Sequence, residues 1–253
     1  MNFEETLPQT QNIVLFGCGA MAIETAMYIN DVANQLSTAK NKLLVSDIVS
    51  TEFERSDELQ SVLGYNVNLH LAIENVENFQ QKQSLVEIGS AEVVKSIAAD
   101  VRNLGGSFIT IIHPTAVVSG TANIGHGVIV APFSFIGPFS CISDNAIVNV
   151  HSTIGHDVTV GSGVIISPHV DINGASSVGD FTFLGAGVTV DPQISIGRYT
   201  KVSSGVTVKK NVPDGMMVFN HQSAKPVKLF QADDVRSMST SHYCEINFIE
   251  GLK

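Results

Sequence analysis

Every sixth residue from Ile112 to Val208 is aliphatic, in the series Ile112, Val118, Ile124, Val130, Ile136, Ile142, Val148, Ile154, Val160, Ile166, Ile172, Val178, Leu184, Val190, Ile196, Val202 and Val208. A helix repeats about every 3.6 residues and a strand every second residue, so neither produces this pattern. Four places after each aliphatic residue comes a small or β-branched one, as in Ala116, Val128, Ser134, Ser152, Thr182, Val188 and Val206, so each hexad has two inward positions. Two places after it come Pro114, Pro132, Pro138, Pro168 and Pro192, with Gly120 and Gly174. Proline there marks a bend at which no ladder donor is needed. Fixed-period repetition is the signature of a solenoid, and three hexads make one triangular coil of a left-handed parallel β-helix. Each coil rises one strand spacing, about 4.8 Å, so the prism is roughly 27 Å tall. Repeats that touch only their neighbours need covered ends and faces, which predicts caps and self-association.

The residues ahead of the repeat read differently. Asn12 to Phe16 predicts a strand, Gly17-Cys18-Gly19 a tight turn, and Ala20 to Leu36 an amphipathic helix. Leu43 to Ser46 predicts a second strand ending at Asp47, and Leu85 to Ile88 a third. A helix over Ala91 to Asn103 and a strand over Phe108 to Ile111 then lead into the repeat. This is an open, mostly parallel sheet. The Gly17-x-Gly19-x-x-Ala22 spacing fits a dinucleotide fingerprint, whose glycines let backbone amides approach a pyrophosphate at a helix N-terminus. A dehydrogenase would need a substrate domain, and the β-helix leaves no room for one. Candidate contacts to a nucleotide-linked ligand are Gly17, Gly19, Asp47 and Gly89.

Charge narrows the partners. The net charge of −10 argues against general nucleic-acid binding. No Lys or Arg occurs from Asn103 to Gly197, and then Arg198, Lys201, Lys209, Lys210, Lys225 and Lys228 follow closely, a basic end suited to a small polyphosphate ligand or simply a solvated face. No apolar run approaches the roughly 18 residues of a spanning helix, and no signal peptide is read, so the expectation is a cytoplasmic protein without membrane insertion. Cys18, Cys141 and Cys244 lack disulfide or zinc spacing and read as small buried thiols.

Five histidines fall in the repeat: His113, His126, His151, His156 and His169. His156 occupies a bend position, precedes Asp157, and stands one 18-residue coil before Gly174. The stretch Asn149-Val-His-Ser-Thr-Ile-Gly-His156-Asp157 followed by Gly174 resembles the NeuD/PglD-like sugar acyltransferases of the hexapeptide-repeat superfamily. The likeness extends to the GxG opening, the Ile112 to Ser119 entry and the Val208 to Gly215 exit. It implies α/β plus all-β architecture: a Rossmann-like nucleotide-sugar-binding domain at 1–110, a left-handed β-helix at 111–213, and an exit loop and tail at 214–253. It also implies a homotrimer with acetyl-CoA as co-substrate between neighbouring prisms, a nucleotide-linked amino sugar as acceptor, and no metal. In these roles His156 is the general base, Asp157 orients its ring, and the Gly174 amide binds the developing oxyanion. Asn149 faces the substrate, Ala186, Ser204 and Gly205 line the pantetheine, and Lys210 meets a phosphate.

Some positions depart from the family pattern. Ile165 stands where many relatives carry a second histidine, Met21 replaces the glycine-loop histidine, and Val93 or Val94 replaces an arginine. His221 to Lys225 replaces the usual exit motif. Three other readings stay open: O-acetylation of sialic-acid type, a metal enzyme like the γ-carbonic anhydrases using His151, His156 and His169, and a non-catalytic nucleotide-sugar-binding protein.

Overall fold

In the computed structural model, residues 9–36 and 41–220 are described. The front portion runs β1 (Gln9–Phe16), α1 (Ala20–Leu36), β2 (Asn41–Val49), α2 (Ser56–Leu63), β3 (Asn68–His70), β4 (Gln83–Val86), α3 (Ala91–Asn103) and β5 (Ser107–Phe108). Its sheet has the order β3-β2-β1-β4-β5, and every pairing is parallel. The sequence predicts α1 and α3 to the residue. It misses α2 and β3, and it stops β2 at Asp47 where the strand continues to Val49. The apolar run at Phe108 to Ile111 splits, because Ile111–Ile112 is already the first strand of the prism.

From Ile111 to Val208 the chain forms two-residue strands, and up to Thr189–Val190 each pairs in register with the strand 18 residues on, as Ile136 does with Ile154. They build the three faces of a left-handed parallel β-helix. The first face runs from Ile111–Ile112 up to Lys201–Val202 and closes with Met217–Val218; the second runs from Val117–Val118 to Thr207–Val208; the third runs from Asn123–Ile124 to Ser195–Ile196. The aliphatic column fills the interior, with Ile136, Ile154, Ile166 and Val190 at 0% exposure. Burial of each such side chain stabilises the prism by roughly 1.5–3 kcal/mol. The inward serines and threonines are satisfied by corner carbonyls, as when Ser134 Oγ donates to Asn149 O at 2.9 Å and Thr182 Oγ1 to Gly197 O at 2.8 Å.

The outward residues distinguish the three faces. On the first face Ile111, Ile129, Ile147 and Ile165 point outward, yet are buried in one cluster with Ala22, Ala26 and Ile29 of α1. Ile165 therefore serves as part of the ridge under α1. His113 Nε2 pairs with Asp31 of α1 at 3.0 Å, and Lys95 of α3 donates to Tyr199 Oη at 2.9 Å, so both helices are tied to the prism. The third face carries Asn123, Cys141, Thr159, Ser177 and Ser195 outward. The lower second face and its corners expose Val117, Phe133, Phe135 and Phe139, by 42% to 67%.

Candidate active site and front cleft

The backbone turns twice at the corner between the second and third faces, and His156, Asp157 and Gly174 lie there. Asp157 adopts a left-handed conformation with φ 58°, which Asp tolerates better than most residues. That turn sets its carboxylate 2.7 Å from His156 Nδ1. One coil later Gly174 leaves room for the imidazole: a Cβ there would collide with the ring, whose Nε2 is its nearest neighbour. The Gly174 N–H makes no hydrogen bond among the described residues. A base with one ring nitrogen anchored thus stands beside a free backbone donor. The His156 and Asp157 side chains are 64% and 57% exposed, so on a single chain this pair is open to solvent.

The remaining sequence-predicted residues on the prism divide between two corners. Lys210 stands in the column of His156 and Gly174, above both. Asn149, Ala186, Ser204 and Gly205 lie across the second face, at its corner with the first. Asn149 Oδ1 accepts from the Val150 N–H at 2.7 Å. His151 and His169 share this first corner, stacked in parallel at 5.1 Å with Phe133 below them. His151 and His156 thus flank opposite edges of a face and do not converge. The basic stretch is also dispersed: Arg198 is at the third corner, paired with Asp214 at 3.0 Å, and Lys201 is on the first face. Lys225, Lys228, the His221 to Lys225 exit, Cys244 and the tail lie outside the described residues.

In the front portion a cleft of about 480 Å³ opens over the ends of β1, β2 and β4, lined by Gly17, Gly19, Met21, Ser50, Arg55 and Gly89 among others. Gly17 has φ 116°, and a Cβ would sit 2.7 Å from Glu87 O, so only glycine fits. Met21 and Val93, two of the departures from the family pattern, line this cleft, whereas Val94 is buried in the core.

Asp47 is a correction. It lies in β2 two residues before the strand end and does not line the cleft. Its carboxylate, 1% exposed, accepts from Lys82 Nζ at 2.5 Å, Asn68 Nδ2 at 3.3 Å and Ser46 Oγ at 2.6 Å, and pairs with His70 Nε2 at 2.9 Å. Burial raises its pKa, but Lys82, Ser46, His70 and Asn68 together hold it below the ordinary value. The acid expected to contact a nucleotide-linked ligand is instead a buried structural charge. The sequence reading placed the strand end at Asp47 because Ile48 and Val49 were not counted into the strand.

Sequence reasoning passed over Glu87, which lines the cleft at 6% exposure with no partner for Oε2 among the described residues. Burial, with the charge of Glu24 adding, pushes its pKa from 4.5 up to about 8. The native state then holds a proton that the unfolded chain releases, so stability should fall as pH rises from 4.5 to about 8. Glu87→Gln should flatten that slope in urea melts run across this range, and an unchanged slope would show that Glu87 ionises freely.

No family model matches this sequence, and no curated protein matches it at significance. Solved structures do. PerB from Caulobacter crescentus, determined with CoA and GDP-perosamine, is 29% identical, covering 81% of this chain and 92% of its own, with a TM-score of 0.70. The acetyltransferase domain of PglB from Neisseria gonorrhoeae, determined with acetyl coenzyme A, is 22% identical over 83% of this chain and 96% of its own, with a TM-score of 0.69. WeeI from Acinetobacter baumannii shares the fold at 20% identity, covering 84% of this chain and 98% of its own, with a TM-score of 0.59.

Proposed function

We propose that this chain is a CoA-dependent sugar N-acetyltransferase of the NeuD/PglD-like, hexapeptide-repeat kind, acting on a nucleotide-linked amino sugar in the cytoplasm. The observation that carries this reading is His156, anchored by Asp157, beside the free amide of Gly174. The likeness to PerB, whose structure holds CoA and GDP-perosamine, supports it. With Nδ1–H donating to Asp157, Nε2 presents its lone pair and takes a proton from the sugar amine as the nitrogen attacks the thioester carbonyl. The developing oxyanion accepts from the Gly174 N–H, a contact of the kind that contributes about 3 kcal/mol when preorganised. Collapse breaks the C–S bond, and the proton on Nε2 passes to the departing thiolate. Acyl transfer in this form needs no metal, and among the described residues no group of three or more His, Cys, Asp or Glu is clustered to hold one.

On this reading different copies supply different parts of each site. His156, Gly174 and Lys210 lie across the second face from Asn149, Ala186, Ser204 and Gly205. A neighbouring prism packed against the second face brings its first corner to this chain's second corner. The exposed Val117, Phe133, Phe135 and Phe139 favour that packing, which would also shield His156. A trimer closes the arrangement.

The test is thiol release from acetyl-CoA against UDP-, dTDP- and GDP-linked 3-amino and 4-amino deoxysugars, on protein shown by sedimentation to contain three copies. Turnover with an amino sugar is the expected result. Turnover only with hydroxyl acceptors would replace the reading by O-acetylation, and silence with all acceptors despite CoA binding would replace it by a binding protein.

A further inference from the structure

The front cleft continues past Ser50 and Thr51 into a slot of about 370 Å³ with a different chemical character. Its walls are Val49, Ile73 and Ile88 together with one stripe of α3, Val93 and Ile97. The same stripe ends in Asp100, and Glu74 stands beside it. No Lys or Arg lines the slot, whereas Arg55, paired with Glu58, lines the cleft at the other end with Gly19, and Gly17 borders both. Neither the Asp100 nor the Glu74 carboxylate makes a hydrogen bond or ion pair among the described residues. The two ends therefore differ in their walls. The glycine turn, the N-terminus of α1 and the Arg55 guanidinium lie at one end with Glu52, Glu54 and Glu87, and an apolar slot whose charged groups are Asp100 and Glu74 alone lies at the other.

We propose that the slot reads the nucleobase and that the base is guanine, with Asp100 as the principal specificity-determining residue and Glu74 second. This rests on reading the cleft as the sugar-nucleotide site. The glycine end takes the diphosphate, because backbone amides at the N-terminus of α1 favour an anion there. The base then falls in the slot, where aliphatic walls cover both ring faces. An ionised carboxylate only accepts hydrogen bonds. Guanine alone among the common bases presents two adjacent donors, N1–H and the 2-amino group, on its pairing edge. That edge meets a carboxylate through two parallel charge-assisted bonds. Uracil and thymine flank one N–H with two carbonyls, and adenine and cytosine set a ring acceptor beside one amino group. Each of these would turn lone pairs toward Asp100.

The experiment is calorimetric titration of the full-length protein with GDP, UDP, dTDP, CDP and ADP, with CoA binding as a check on folding. GDP should bind tightest, by about tenfold or more, the discrimination expected of a bidentate base contact. Asp100→Asn should remove most of that preference without moving CoA affinity, and Glu74→Gln should reduce it less. Equal or tighter binding of any other diphosphate overturns the proposal and leaves the sugar-nucleotide reading intact. A guanine preference that survives the double variant Asp100→Asn/Glu74→Gln also overturns it. If none of the five binds while CoA does, the nucleotide reading of the cleft falls, and this proposal falls with it.

Discussion

His156→Ala should lower the acyl-transfer rate by about 10² to 10⁴, the contribution of a positioned general base. The affinity for acetyl-CoA should stay nearly constant. The expectation follows from the division between corners: His156 and Gly174 are at one, and Ala186, Ser204 and Gly205 are at the other. The imidazole also fills the space beside Gly174 rather than supporting the core, and it is largely exposed. Its loss should therefore leave the coil intact. Steady-state rates with the best acceptor, paired with calorimetry for CoA, separate the two effects. Near-normal turnover would remove His156 from the mechanism, and loss of CoA binding in step with rate would recast it as a binding residue.

Lys82→Met should destabilise the protein by about 3–5 kcal/mol at neutral pH, the penalty for stranding one member of a buried ion pair. Asp47 is 1% exposed and the Lys82 side chain 13%, so little solvent reaches the charge left behind. The pH dependence has a definite sign. The folded-state pKa of Asp47 is depressed below 3.8, so the stabilisation is present above that value and lost as pH falls through the folded value. The gap between the two proteins should accordingly narrow in acid. The double change Asp47→Asn/Lys82→Met should recover part of the loss, since it removes the stranded charge. Urea midpoints at neutral and acid pH test all three statements, and a variant as stable as the original would mean that His70 and Asn68 alone satisfy Asp47.

Local rules made much of this chain legible. The corner geometry follows from the same hexads: once Ile154 and Val160 face inward, His156 and Asp157 must fall on a turn, and Gly174 must lie one coil above. That juxtaposition was readable from spacing alone, because an in-register parallel coil leaves no freedom in what stacks on what. The glycine turn was readable for a similar reason, since Gly17 occupies a backbone conformation closed to other residues. Asp47 was misplaced because a two-residue error at a strand end moves a side chain from the rim of a sheet into its interior. Glu87 went unnoticed because a single acidic letter carries no sign of being buried.

The sequence by itself determined the triangular coil, its inward columns and the alignment of His156 with Gly174, because each depends on period and on contacts between adjacent coils. Only the tertiary structure decided which face is covered, which is polar and which is left apolar. Pairs of aliphatics such as Ile147-Val148 and Ile165-Ile166 do not announce that their outward members lie under α1. Burial of an outward side chain depends on a helix more than a hundred residues away in sequence, and no period along the chain encodes that distance.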